Sequence, residues 1–204
     1  MLKPAEKTGF KFSRIELRDL SKAWIILSLA FTIYFLGGFN ISDKFFIAFL
    51  VSLITVGTAF ILHELGHKLI AQYYGCFAEF RAFNFMLFLA LIFSFFGFIF
   101  AAPGAVMING PIGVRRNGKI SALGPGTNIV LAVLFLSLNI FYSNPIINII
   151  SYYGFLVNSW LALFNMLPFA MFDGKKIWVW NKFVYVLMAV VCLFLMALQG
   201  FVIS

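Results

Sequence analysis

The chain has 204 residues, of which 63% are hydrophobic and only 11% charged, and its mean hydropathy is +1.01. Soluble domains run nearer half apolar and a quarter charged, so a water-facing fold of this size would lack the polar residues to cover itself. The net charge of +8 does not indicate a nucleic-acid partner. The bases stand in short tracts beside apolar runs, as in membrane proteins, and no nucleic-acid-binding module is recognisable.

In chain order, the first 22 residues are polar and mixed in charge. The apolar run Ala23–Phe39 has no small-residue cleavage site after it, so a retained first span is expected rather than a cleaved leader. Phe10, Phe12, Ile15, Leu17 and Leu20 alternate with Lys11, Arg14, Arg18 and Lys22. That stretch fits either a helix lying on the membrane surface or a cytoplasmic tail. Spans are expected at 23–39, 45–72, 121–142, 147–172 and 183–203, given that about 20 apolar residues cross a bilayer. Phe77–Phe83 and Ala105–Asn109 look strand-like. Cys76 and Cys192 lack disulfide or zinc-knuckle spacing and are expected to be small buried apolar residues, the competing reading making Cys76, just beyond the histidine motif, a fourth metal ligand. The fold class is an all-α polytopic membrane protein of about five transmembrane helices, with a re-entrant (or sixth transmembrane) segment at 83–102 and short membrane-associated strands. One domain covers 1–204, with a catalytic core at about 45–182.

The Lys/Arg tracts set the expected orientation. Six bases precede the first span, which puts the N-terminus in the cytoplasm. The loops Asn40–Lys44 and Ser143–Pro145 suit the outside. The clusters Arg115, Arg116, Lys119 and Lys175, Lys176, Lys182 suit the cytoplasm.

The two histidines of the chain lie four residues apart, in His63-Glu64-Leu65-Gly66-His67. Residues at i and i+4 share a helical face, so both imidazoles can reach one ion, and Glu64 lies beside that face. Ionisable groups inside a membrane are costly and tend to mark a site. The competing reading hydrogen-bonds the histidines to a neighbouring helix and pairs Glu64 with Lys68. A catalytic zinc site takes three protein ligands, so the third must come from an acid or a thiolate. Of the seven acids, Glu79 and Asp173 remain once the N-terminal tail, the outer loop and Glu64 are set aside. Asp173 closes the apolar run Phe164–Phe172 and is favoured, although it could instead cap a helix near Lys175 and Lys176. Asn128 and Asn165 are polar in apolar surroundings. They would either contact substrate and stabilise an oxyanion or hydrogen-bond between helices. Pro168 is expected to kink its helix.

These motifs together resemble the site-2 protease family of intramembrane metalloproteases. The resemblance rests on His63–His67 in a membrane helix, Gly124-Pro125-Gly126-Thr127-Asn128, and Asn165-x-x-Pro168-x-x-x-x-Asp173-Gly174, in family order over roughly residues 50–180. It implies one zinc ion per chain held by His63, His67 and Asp173, with Glu64 as general base. It also implies a three-helix core from spans 45–72, 121–142 and 147–172. The implied activity is regulated intramembrane proteolysis, in which a peptide bond within or near a transmembrane segment is hydrolysed. The expected partners are transmembrane protein substrates and the lipid bilayer, with the cell membrane as the expected location in the sense that the basic tracts orient; a homo-oligomer is left open. The rival from another class is a membrane metal-ion transporter using the same His/His/Asp set. Transporters rarely need a glutamate beside the first histidine, and no paired repeat of half-helices is present. A catalytically silent relative that acts by binding is a further alternative. If Asp173 is to meet the histidines, the chain between them must cross the bilayer an even number of times. The segment 83–102 is therefore expected to enter and leave on the cytoplasmic side, turning near Ser94–Gly97.

Overall fold

The computed structural model describes residues 10–38, 42–99 and 103–202. Part of the first hairpin loop (39–41) and the end of the 83–102 segment (100–102) lie outside the described residues. In chain order come α1 (Arg14–Leu36), α2 (Asp43–Ser52), a π-turn (Leu53–Gly57), α3 (Thr58–Tyr73), β1 (Phe77–Ala82), α4 (Asn84–Phe95), β2 (Gly104–Asn109), α5 (Val114–Phe141), α6 (Pro145–Asn165), α7 (Asp173–Trp180) and α8 (Lys182–Val202). Among the described residues, five helical stretches are long and apolar enough to cross a membrane: α1, the continuous α2–α3, α5, α6 and α8. This is an all-α polytopic membrane protein with one small sheet.

The first helix starts well before the expected position 23. Ser13 caps it, its hydroxyl accepting from the Glu16 amide at 3.1 Å. The polar stretch that follows is helical because its acids have distant partners. Glu16 Oε2 pairs with Lys68 Nζ of α3 at 2.5 Å, and Glu16 Oε1 accepts from the Phe80 amide of β1 at 3.0 Å. Asp19 Oδ2 accepts from the Ala82 amide at 3.3 Å. Phe10 and Phe12 cover the Lys68 ammonium, their ring centroids 5.3 and 4.0 Å away. Buried charges are tolerated only when paired and hydrogen-bonded in this way. Residues 14–22 are thus neither a tail nor a separate surface helix.

Between α2 and α3 the helix widens into the π-turn, whose i→i+5 pattern leaves a carbonyl over. Trp24 Nε1 of α1 donates to that of Leu53 at 2.9 Å. The indole lies across Gly57, where a Cβ would fall 1.8 Å from Trp24 Cδ1.

Strands β1 and β2 pair antiparallel from Phe77↔Asn109 to Ala82↔Gly104. Beyond the last pair, the Phe83 amide donates to Pro103 O at 2.9 Å. The segment between them therefore leaves and returns at one end of the molecule. Its helix α4 has 12 residues, about 18 Å of rise against a hydrocarbon core of about 30 Å. The chain reverses after it at Phe96–Gly97, with Gly97 at φ +76° and its amide on Ser94 O. Leu87 and Ala90 of α4 pack with Leu20, Ala23 and Leu27 of α1. At 12 residues α4 is too short to be a sixth span, and a segment that returns to its starting end matches the expected re-entrant form.

Helix α6 stops at Asn165, short of the expected 172. Pro168 follows the helix instead of kinking it, because its ring disfavours helical geometry in Leu167 and it has no amide to donate. Ala170 takes a left-handed conformation at φ 50°. The chain then doubles back so tightly that a Cβ on Gly174 would lie 2.2 Å from Met166 O. Asp173 consequently opens a separate helix, α7, rather than closing a span.

Candidate metal centre

Three elements meet at one point. α3 brings His63, Glu64 and His67, α7 brings Asp173 at its first residue, and α5 passes between them. His63 Nε2 and His67 Nε2 lie 3.4 and 3.0 Å from Asp173 Oδ2, and 3.1 Å from each other. All three residues are buried, at 4%, 8% and 6% exposure. They are the one group of three potential metal-binding side chains found among the described residues.

The far ring nitrogens decide what faces inward. His67 Nδ1 is 2.9 Å from the Ile120 carbonyl, which can only accept, so Nδ1 carries the hydrogen. His63 Nδ1 is 2.5 Å from Asn128 Oδ1. With both Nδ1 atoms protonated, each Nε2 turns a lone pair toward Asp173. When both rings are neutral, three acceptors at 3.0–3.4 Å face one another, a donor set that a cation satisfies; without a cation, a second hydrogen on an imidazole Nε2 satisfies Asp173 instead. The spacing also suits zinc: bonds of about 2.0–2.1 Å in a tetrahedral site place neighbouring ligand atoms about 3.3 Å apart. The donor set and its geometry therefore fit a zinc ion.

Asp173 is charged as a ligand must be. Burial works against its ionisation, but with the rings protonated His67 and His63 outweigh that and hold the carboxyl well below the usual carboxylate range. Lys176 Nζ lies 3.4 Å from its other oxygen, Oδ1. Gly124 of α5 leaves the room. A Cβ there would sit 2.4 Å from His67 Nε2 and 2.6 Å from His63 Nε2, so even alanine would displace the rings. This gives the Gly-Pro-x-x-Asn motif a steric meaning that its spacing did not reveal.

Glu64 is buried beside the donors without joining them. Its Oε2 accepts from the Val106 amide of β2 at 3.0 Å, while Lys68, the partner weighed for it, pairs with Glu16. Glu79 is held elsewhere. The Ser13 hydroxyl donates to it and Arg81 pairs with it at 2.6 Å, and together they keep its carboxyl below the usual range. Cys76 is buried against Ala71, Ala78 and Ile120, outside the donor group. Asn165 Nδ2 donates to Leu161 O of its own helix at 2.9 Å. Asn128 has its whole amide engaged: Oδ1 faces His63, and Nδ2 donates to Ala59 O at 3.1 Å and Asn158 Oδ1 at 2.9 Å. Asn158 escaped the sequence reading, although a polar residue inside an apolar helix was the signal that singled out its two fellow asparagines.

The fold and the site together define a polytopic membrane protein with a buried His–His–carboxylate centre and a glutamate beside it. The chain is 41% identical over 179 residues to a protein of Methanocaldococcus jannaschii named "Putative zinc metalloprotease MJ0611", the match covering 86% of this chain and 90% of that one. At that identity and coverage, this chain belongs to the same family. No protein-family model and no solved structure matches it.

Proposed function

We propose that this protein is an intramembrane zinc endopeptidase of the site-2 type, hydrolysing a peptide bond within or near the transmembrane segment of another membrane protein. The observation that carries this reading is a buried carboxylate, Glu64, set beside three convergent donors but not among them. The archaeal relative's name supports it. His63, His67 and Asp173 would hold the zinc, whose contribution when bound is to acidify water and polarise a carbonyl. Glu64 Oε2 is tied to β2, which leaves Oε1 to take a proton and return it to the departing amine. A metal-ion transporter would have no use for a glutamate held in this way.

The substrate helix must unwind to expose a peptide bond, and the sheet favours one place for the extended chain. Two outward amides of β1, those of Phe80 and Ala82, are taken by Glu16 and Asp19 of α1, which packs along that edge. On β2 the outward Val106 amide meets Glu64 itself. A substrate strand adding to β2 would lie beside the general base, with Asn165 as the candidate for contacting its backbone. The proposal is tested with purified protein in vesicles containing single-span membrane proteins. Fragments ending within or beside the apolar stretch are expected, lost on zinc chelation and restored by zinc. Zinc flux across the vesicles without any cleavage would overturn the protease in favour of the transporter.

The basic tracts support an orientation with the sheet, the start of α5 and the centre near the cytoplasmic face. Single cysteines at the exposed positions Asn109 and Asn117, in a background without Cys76 and Cys192, probe this. A membrane-impermeant thiol reagent is expected to spare both in intact cells and to label both after permeabilisation. Labelling from outside would reverse the orientation.

A further inference from the structure

We infer that Asn158 of α6 is a positioning residue for the metal centre, acting through Asn128 to fix the ring face that His63 offers the ion. The inference rests on the reading of His63 as a zinc ligand. Asn128 and Asn158 are fully buried and form a chain from one helix to the next. Asn158 Nδ2 donates to the Gly154 carbonyl at 2.8 Å, and its Oδ1 accepts from Asn128 Nδ2 at 2.9 Å. Asn128 Nδ2 also donates to the Ala59 carbonyl at 3.1 Å, and its Oδ1 faces His63 Nδ1 at 2.5 Å.

Two backbone carbonyls set the direction of this chain. A carbonyl only accepts, so the Gly154 oxygen requires the amide nitrogen of Asn158 to face it. That leaves the Asn158 oxygen for Asn128. The Ala59 oxygen imposes the same orientation on Asn128 and leaves that oxygen for His63. Turning either amide over would set oxygen against oxygen in a buried place, where an unmet polar group is costly. His63 is thereby confined to the tautomer with hydrogen on Nδ1, and its Nε2 lone pair points at Asp173. The donated hydrogens run away from the metal and end on two backbone carbonyls, Gly154 of α6 and Ala59 of α3. Without Asn158, one Asn128 hydrogen loses its acceptor, and only Ala59 still opposes rotation of the amide. Outer partners of metal-binding histidines commonly act by holding tautomer and orientation. A purely architectural role, joining α5 to α6, would show in stability and leave zinc affinity alone.

The test measures zinc affinity by chelator competition, and the melting temperature of the metal-free protein, for wild type, Asn158→Leu, Asn158→Ser, Asn128→Ala and the double variant Asn128→Ala/Asn158→Leu. The two Asn158 variants are expected to bind zinc about 10–100-fold more weakly. The double variant should bind no more weakly than Asn128→Ala alone, since the effect passes through Asn128. Wild-type affinity in the Asn158 variants, with or without a lower melting temperature, overturns the inference, as do losses that add in the double variant. Failure of the wild-type protein to bind zinc would instead remove the metal-site reading beneath it.

Discussion

Glu64→Gln is expected to abolish cleavage of a transmembrane substrate while zinc remains bound at the wild-type level. Glutamine can still accept from the Val106 amide that now meets Glu64 Oε2 at 3.0 Å, so the link between α3 and the sheet survives. It cannot take up a proton, and loss of a general base costs about 10²–10⁴ in rate. None of the three donors is altered, which separates the expected result from metal loss. Elemental analysis and a cleavage assay on the same preparation provide both readings. Near-normal cleavage by the variant would show that Glu64 is not the base.

Asp173→Ala is expected to remove both the metal and the activity. The side chain lies 3.0 Å from His67 Nε2 and 3.4 Å from His63 Nε2, and it carries the charge that balances a divalent cation. Its removal should weaken zinc by more than the about 10–100-fold typical of an outer partner. Zinc should fall from about one per chain to well below that on dialysis. Asp173 also opens α7 and faces Lys176 at 3.4 Å, so it has a second, structural role as an acid at a helix N-terminus. If capping were its whole role, zinc content would be unchanged and only stability would drop.

That His63, His67 and Asp173 would meet was legible because each signal was either local or scarce. Two histidines at i, i+4 announce a shared helical face, and an acid closing an apolar run stands out where acids are few. The two strand-like stretches were legible, although their pairing with each other was not, and the return of the 83–102 segment followed from crossing parity. What could not be read were features settled by partners far along the chain. The polar stretch 14–22 read as a surface helix or a tail because Lys68, Phe80 and Ala82, which satisfy Glu16 and Asp19, lie more than fifty residues away in the sequence. The hold of Val106 on Glu64 depends on a backbone amide, which carries no residue signature. Asn128 was weighed between substrate contact and helix–helix bonding, and only the carbonyls of Ala59 and Gly154 reveal how its amide is turned.

The π-turn at Leu53–Gly57 bears on what length changes this helix can accept. Before it, Phe45, Val51 and Ser52 are buried, and after it His63, Glu64 and His67 are. Deleting one residue from the turn would restore regular i→i−4 bonding and release the carbonyl that Trp24 now satisfies. The helix itself would be better made. A π-turn fits one extra residue into about a single turn, so the two halves would stay nearly in phase and the histidines would still face Asp173. An insertion into the regular part of either half, where each residue advances by about 100°, would instead turn Phe45 and Val51 outward or the histidines away from Asp173. The turn is therefore the one place in this helix where a residue can be lost while the metal centre keeps its aim, with loss of the Trp24 contact with the Leu53 carbonyl.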